Sequence, residues 1–402
     1  MRTRAYGMKP PVARTYDKGL LAAMLLLIAF GALMIYSSTS VITPVLARHN
    51  ISEFYYVKRH IFTVALGFVV FLFTYRLNPS FLKKASIPLL IFSFALLLAV
   101  FLPYIGVTAG GARRWIRLWP TTFQPSELVK LSMVIFLARY LSMPGYNPDS
   151  FMSFIRPLII MASFQVVFLK QPDFGSTMSL AFLTFGMLFI SGMRLRYIGS
   201  VLLLAVPVVY KLVMEPYRLR RITSFLDPWK DPLGSGFQLV QSFIALGSGG
   251  VTGLGLGESR QKLAFLPASH TDFIFCLVGE ELGLVGASVL ISLFVFLFSR
   301  GISIANRSQE KFVCYLSYGL TMMISLQALI NFAVVTGLVP TKGLPLPFLS
   351  YGGSALLVNM AAVGILLKIS RGDEAEPERE DGIAKVRRVA RRNIYGGKGS
   401  QA

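Results

Sequence analysis

Blocks of roughly 17 to 25 mostly apolar residues recur along this 402-residue chain, and a helix needs roughly 20 to cross hydrocarbon. Few folds accept that pattern. Inside lipid every backbone N–H and C=O must be satisfied within the protein, so spanning structures are helices or closed barrels, and these blocks lack the alternation of barrel strands. The sequence therefore predicts an all-α polytopic membrane helix bundle, with spans at 19–40, 61–77, 85–103, 126–142, 154–170, 174–192, 197–214, 272–299, 311–338 and 352–369. The blocks from 272 and 311 exceed what a bilayer requires, so they are expected to tilt or project beyond it.

Charge sets the orientation. Arg2, Arg4, Lys9, Arg14 and Lys18 precede the first block, and Lys385, Arg387, Arg388, Arg391 and Arg392 follow the last. Basic residues mark the cytoplasmic side, so both termini belong there. Lys83, Lys84, Arg194, Arg196, Arg300, Arg307 and Lys311 then fall on that side too. The expected organisation is a cytoplasmic segment at 1–18, a transmembrane domain at 19–370 with a long extracytoplasmic loop at about 215–271, and a charged cytoplasmic tail at 371–402. That tail lacks the apolar residues to form a core and is expected to be disordered. The first block is longer than a signal-peptide core and reads as a retained anchor. Cys276 and Cys314 both fall in apolar blocks, which leaves no disulfide framework and no metal-ligand spacing. The net charge of +21 is scattered among short loops, with no soluble reading domain, and does not indicate nucleic acid.

Several charges resist the anchoring explanation. Arg113, Arg114 and Arg117, then Arg218, Arg220, Arg221, Lys230, Arg260 and Lys262, lie in segments assigned to the outside. An anionic ligand there accounts for them; solvated loop charges are the alternative for both groups, and the stronger one for the second, in a long loop. Glu127 and Lys130 sit at i and i+3 in the fourth span and can pair, for structure alone or at a working site. Lys170 and Asp173 flank a turn where Pro172 interrupts the helix. Of Glu280 and Glu281, two turns into the eighth span, only one is expected to face the interior.

The stretch GSGGVTGLGLGESRQKLAFLPASHTDFIF, from Gly247 to Phe275, has glycines that permit close backbone approach and exposed amides able to cradle phosphate. It lacks a P-loop ending. His270 and Asp272 arrive where the eighth span begins. A partly desolvated carboxylate at that boundary can act as a base, and a helix cap is the competing reading.

Together, YSSTS, GARRWIRL, QPSELVK, QPDFGS, the run from Gly247 to Glu281 and PTKGLPLPFLSYGGSA resemble the SEDS family (shape, elongation, division and sporulation), which includes FtsW, RodA and SpoVE. FLDPWKDPLGSGFQLVQS and TKGLPLPFLSYGGS look more like the FtsW branch than the RodA branch. The resemblance implies peptidoglycan glycosyltransferase activity, in which lipid II disaccharides are joined into glycan strands outside the cytoplasmic membrane. For that chemistry Asp272 is the candidate catalytic base, and Arg113, Arg114, Trp115, Gln124, Glu127, Lys130, Lys170, Asp173, Arg260, Lys262, His270, Glu280 and Ser350 are the candidate substrate-binding residues, with anchoring at the membrane interface the equal alternative for Trp115. Further implications of the resemblance are lipid II and the growing lipid-linked glycan as ligands, a class B penicillin-binding protein and other division proteins as partners, and a place in the inner membrane at the septum. A divalent cation, magnesium or manganese, is compatible with a diphosphate substrate. A lipid II transporter is the competing expectation.

Overall fold

The computed structural model describes residues 15–39, 55–109, 112–118, 121–259, 271–341 and 343–372. The basic N-terminal segment, the charged tail, Arg260, Lys262 and His270 lie outside the described residues. Helices occupy all ten predicted segments: α1 (Lys18–Thr39), α2 (Tyr55–Arg76), α3 (Pro79–Ala99), α4 (Pro125–Leu141), α5 (Phe151–Lys170), α6 (Phe174–Ile190), α7 (Leu195–Val213), α10 (Ile274–Arg307), α11 (Lys311–Val335) and α12 (Gly353–Ser370). Among the described residues seven of them, α1, α2, α3, α5, α10, α11 and α12, are long and apolar enough to cross a membrane. The chain is an integral membrane protein of the polytopic helical class.

Proline opens α3 and α4, at the position where its missing N–H costs no helical hydrogen bond. The core is at α12, 78% of whose span is buried, against 28% for the peripheral α2 and α3. Contacts at the helix ends fix the alternation of direction. At one end the Asp17 carboxylate accepts from the Arg300 guanidinium at 2.6 Å and the Asp17 amide donates to Ser370 Oγ at 3.0 Å, joining the start of α1 to the ends of α10 and α12. Lys83 pairs with Glu310 at that end as well, and Arg194 with Asp149. Among the described residues, Lys18, Lys83, Lys84, Arg194, Arg196, Arg300, Arg307 and Lys311, assigned to the cytoplasm by sequence, thus share one end of the bundle.

The opposite end holds what the all-α expectation left out. Between α3 and α4 the chain forms a three-stranded antiparallel sheet, β1 (Gly106–Ala109), β2 (Ala112–Leu118) and β3 (Thr121–Phe123), in the order β1-β2-β3. Its register pairs Val107 with Trp115 and Ile116 with Phe123. Alternation along β2 buries Ala112 and Ile116 and leaves Arg113 and Arg117 exposed, so Arg114 shares the inward face. The 215–271 segment also has structure among its described residues: α8 (Pro216–Leu226), a 3₁₀ turn at Pro228–Lys230, and α9 (Phe237–Ser248), which packs on α10 with Leu246 against Gly279 and Ser242 Oγ against Cys276 Sγ at 3.0 Å.

After α9 the described start of the glycine-rich run is bonded to the backbone of α10. α10 is interrupted at Gly283, where φ is 65° and ψ −163°, and the groups freed by that break are taken up by the run. Leu254 and Gly255 amides donate to Glu280 and Glu281 carbonyls at 3.0 Å each, and Leu284 and Val285 amides return to Gly250 and Val251 at 3.0 and 3.2 Å. A Cβ on Gly253 would stand 2.2 Å from the Glu281 carbonyl oxygen, which is why this contact requires glycine. The expectation of phosphate-cradling amides is corrected accordingly at Leu254 and Gly255. A second correction follows from the same break, since both Glu280 and Glu281 are buried. Ser259 Oγ donates to Glu280 at 2.5 Å, and Ser37 Oγ to Glu281 at 2.6 and 2.7 Å.

Candidate active site

At the sheet-bearing end, the starts of α4, α6, α10 and α12 meet the ends of α5 and α11. Asp272 sits just before α10, in the turn 271–273. The cap position of α10 falls on Phe273 and no side chain caps it, so the capping role weighed for Asp272 is not the one it plays. Its carboxylate accepts no hydrogen bond among the described residues. Burial pushes its pKa up to about 6, against a smaller opposing pull from Arg114. The neighbouring wall is Gly343: a Cβ there would lie 2.4 Å from Asp272 Oδ2.

A buried polar chain holds that wall and the Asp272 turn together. Glu127 and Lys130, one turn apart on α4, form an ion pair of 2.8 Å with side chains only 3–4% exposed. Lys130 Nζ also donates to Gln327 Oε1 at 3.1 Å, and Gln327 Nε2 donates to the Pro345 carbonyl at 2.8 Å. One turn further along α11, Asn331 Nδ2 donates to two carbonyls at 2.8 Å each, those of Asp272 and Leu344. Asn331 therefore clamps the carboxylate-bearing turn to the 343–350 loop. In that loop Ser350 accepts from the Leu346 amide at 2.8 Å and closes a turn whose Phe348 has φ of 65°, a conformation a non-glycine residue holds only under constraint.

On the other flank, Arg114 Nε donates to the Gln171 carbonyl at 3.3 Å and its NH2 to the Pro172 carbonyl. That pins the sheet to the α5–α6 turn. Asp173 caps α6 by accepting from the Ser176 amide and hydroxyl at 3.1 and 2.7 Å, and Gln124 Nε2 reaches it at 3.5 Å. The Gln124 amide donates to Ser354 Oγ at 2.8 Å, tying α4 to α12.

The sequence pattern of the FtsW/RodA/SpoVE family, described as cell cycle proteins, matches residues 18–375. The chain belongs to this family. It is 42% identical over 357 residues to the probable peptidoglycan glycosyltransferase FtsW of Geobacter sp. (strain M18), covering 88% of this chain and 96% of that one. The Legionella pneumophila protein of the same description is 42% identical over 367 residues, covering 89% and 92%. Among solved structures, a peptidoglycan synthase complex studied for its coordination of polymerization and crosslinking aligns with a TM-score of 0.73 at 28% identity, covering 90% of this chain and 99% of that one. The rod shape determining protein RodA of Thermus thermophilus aligns with a TM-score of 0.67 at 27% identity, covering 90% and 98%.

Within this family fold, Asp272, Arg114, Gln124, Glu127, Lys130, Asp173 and Ser350 converge on one end of the bundle. Arg113 turns outward onto Thr108 and the Phe101 carbonyl, and Lys170 is exposed where α5 stops. Glu280 belongs to the glycine-run contact. Sequence reasoning passed over Gln327, Asn331 and Gly343. The first two are polar residues spaced i, i+4 in an otherwise apolar span, and that spacing was a usable signal.

Proposed function

We propose that this chain polymerises lipid II disaccharides into glycan strands at the outer face of the inner membrane, as a peptidoglycan glycosyltransferase of septal wall synthesis. One observation carries the mechanism: a half-buried, desolvated carboxylate, Asp272, that the protein leaves without a hydrogen bond among the described residues and holds near Arg114. Such a group is suited to take a proton at near-neutral pH. Asp272 removes the proton from the 4-hydroxyl of the acceptor N-acetylglucosamine as that oxygen attacks C1 of the N-acetylmuramic acid on the lipid-linked chain. The C1–oxygen bond to undecaprenyl diphosphate breaks on the opposite face, the electron pair leaves with the diphosphate, and the anomeric centre inverts. A diphosphate needs charge neutralisation more than a proton, which is the part assigned to Arg114 and to Arg260 and Lys262.

The division role and the outward placing of Asp272 are supported by the FtsW relatives and by the basic residues gathered at the opposite end. Among the described residues no group of three His, Cys, Asp or Glu side chains stands together. A divalent cation, magnesium or manganese, would arrive with the substrate diphosphate. A class B penicillin-binding protein is the partner, by analogy with the complex that couples polymerization to crosslinking. The test uses detergent-solubilised protein with that partner and labelled lipid II. Glycan polymer formed without a sealed compartment is expected; its absence, alongside lipid II movement in proteoliposomes, would establish the transporter instead.

A further inference from the structure

Of the described helices α8 is the most strongly amphipathic, and the side it gives to the protein is the polar one. Leu219, Ile222 and Leu226 recur at i, i+3 and i+7 along one stripe, while Arg220, Arg221 and Ser224 share the other side. Ser224 is buried, with its Oγ bonded to Ser235 Oγ at 2.5 Å, and Arg221 donates to the Thr341 carbonyl at 3.2 Å. The apolar stripe points away: Leu219 is exposed and Leu226 is 74% exposed. Just beyond the helix, Trp229 is 59% and Leu233 86% exposed. In water such a helix would bury this stripe against its own protein.

Its place in the chain says what the stripe faces. α7 starts at the cytoplasmic end, beside the Arg194–Asp149 pair, and exposes Leu203, Leu204, Val206 and Tyr210 as a lipid-facing helix would. α8 begins three residues after α7 ends, so it lies at the outer boundary of the bilayer and continues that lipid-facing surface. The helix carries three arginines and no acidic residue. The exposed Arg220 guanidinium and Lys230 ammonium make no ion pair among the described residues, and the nearby Asp231 carboxylate is turned back onto the Ser235 amide at 2.8 Å. An apolar stripe edged by arginine and closed by an exposed tryptophan is the chemistry of a helix lying in a lipid interface. Eleven residues of helix span about 16 Å, enough to cover several lipid molecules, which suits a phospholipid surface better than a single prenyl chain.

We propose that α8 and the Trp229 turn are a docking surface for anionic phospholipid of the outer leaflet, and that docking steadies the wall of the Asp272 pocket. Arg220 and Lys230 meet the phosphate headgroups, while Leu219, Ile222, Leu226 and Trp229 enter the boundary with the acyl chains. Arg221, on the polar side, holds Thr341, and Gly343 two residues on stands against Asp272 Oδ2. The effect on turnover rests on the polymerase reading; the binding of phospholipid does not.

Trp229 reports its own surroundings once the other two tryptophans, Trp115 and Trp119, are replaced by phenylalanine. The full-length protein is placed in phosphatidylcholine nanodiscs that contain, at equal mole fraction, brominated phosphatidylcholine or brominated phosphatidylglycerol. Both should quench Trp229, with phosphatidylglycerol enriched about fivefold, the attraction of one arginine to an anionic surface. Arg220→Gln is expected to remove most of that enrichment at unchanged Tm, and Leu226→Asp to lower quenching by both lipids. No quenching by either lipid in the folded protein would overturn the lipid surface and give the face to a protein partner. Equal quenching by the two would overturn the anionic preference, and relief of quenching by traces of undecaprenyl diphosphate would make the occupant the substrate instead. With its transpeptidase partner, protein retaining all three tryptophans should polymerise lipid II several-fold faster when phosphatidylglycerol is present; Arg221→Gln should keep the lipid preference and lose the rise. An equal rise in both would break the link to Asp272. Protein that shows the quenching pattern but makes no polymer in any lipid would sink the polymerase reading and leave the phospholipid surface standing.

Discussion

At Asp272 burial and catalysis are linked through one proton. With the pKa raised to about 6, the base is ionised only above that value, so polymerisation should rise through pH 5 to 7 and level off. A bell centred elsewhere, or a flat profile, would count against it. The sign for stability is opposite. A carboxylate whose folded pKa is raised binds protons more tightly when folded, so its contribution is full below the unfolded value near 3.8 and is lost as pH rises through about 6. Asp272→Asn is therefore expected to match or exceed the wild-type Tm at pH 8. Gly343→Ala places a methyl against Oδ2 and should rotate the carboxylate away, with a loss of about ten- to a hundredfold in rate and little change in Tm. Removing the Asn331 clamp by Asn331→Ala should lower kcat while leaving the pH midpoint in place, because the residue positions the turn through its backbone carbonyl. Asp272 was legible as a carboxylate at a water–lipid boundary. Asn331 acts through main-chain carbonyls, and which carbonyls a side chain will meet is not written in residue types.

The α4 ion pair and the glycine ribbon decide how the elements hold together. Glu127→Ala would leave Lys130 charged and buried, a cost of about 3–5 kcal/mol. The double variant Glu127→Ala/Lys130→Met should recover much of that Tm without recovering activity, because the Lys130–Gln327–Pro345 support is gone. Full activity in the double variant would reduce the pair to packing. At the break in α10, Gly253→Ala should cost about 2–3 kcal/mol, from positive φ combined with collision against a backbone carbonyl. Gly255→Ala, also at positive φ but with its Cβ no closer than 3.7 Å to a side-chain atom, should cost about 1 kcal/mol. Thermal unfolding of the two variants separates close approach from conformational preference. The glycines announced tight backbone contact in the sequence, but not whether the contact was with ligand or with chain. The sheet escaped notice because its strands are short and broken by a bulge between Val107 and Thr108, so the period-two signal never accumulates.

Across the whole molecule, blocks of apolar residues and scattered basic residues placed the helices and their alternation, since bilayer thickness and backbone satisfaction leave little choice. Helix 274–307 was harder, because its break at Gly283 depends on a segment outside it. Sidedness is open to labelling. In a chain with Cys276 and Cys314 replaced by serine, a cysteine at Tyr104 should react with an impermeant maleimide in intact cells, and one at Ser370 only after permeabilisation. The reverse pattern would place Asp272 on the cytoplasmic side and end the mechanism. The pooling of Asp272, Arg114 and the α4–α11 polar chain at one end makes sense only if the reaction happens there, and one measurement addresses that directly. Purified wild type and Asp272→Asn, each with its penicillin-binding partner in lipid, are given labelled lipid II and glycan is followed by gel. Wild type should make polymer and the folded variant should fall by about 10²- to 10⁴-fold; polymer at wild-type rate from Asp272→Asn would contradict the account.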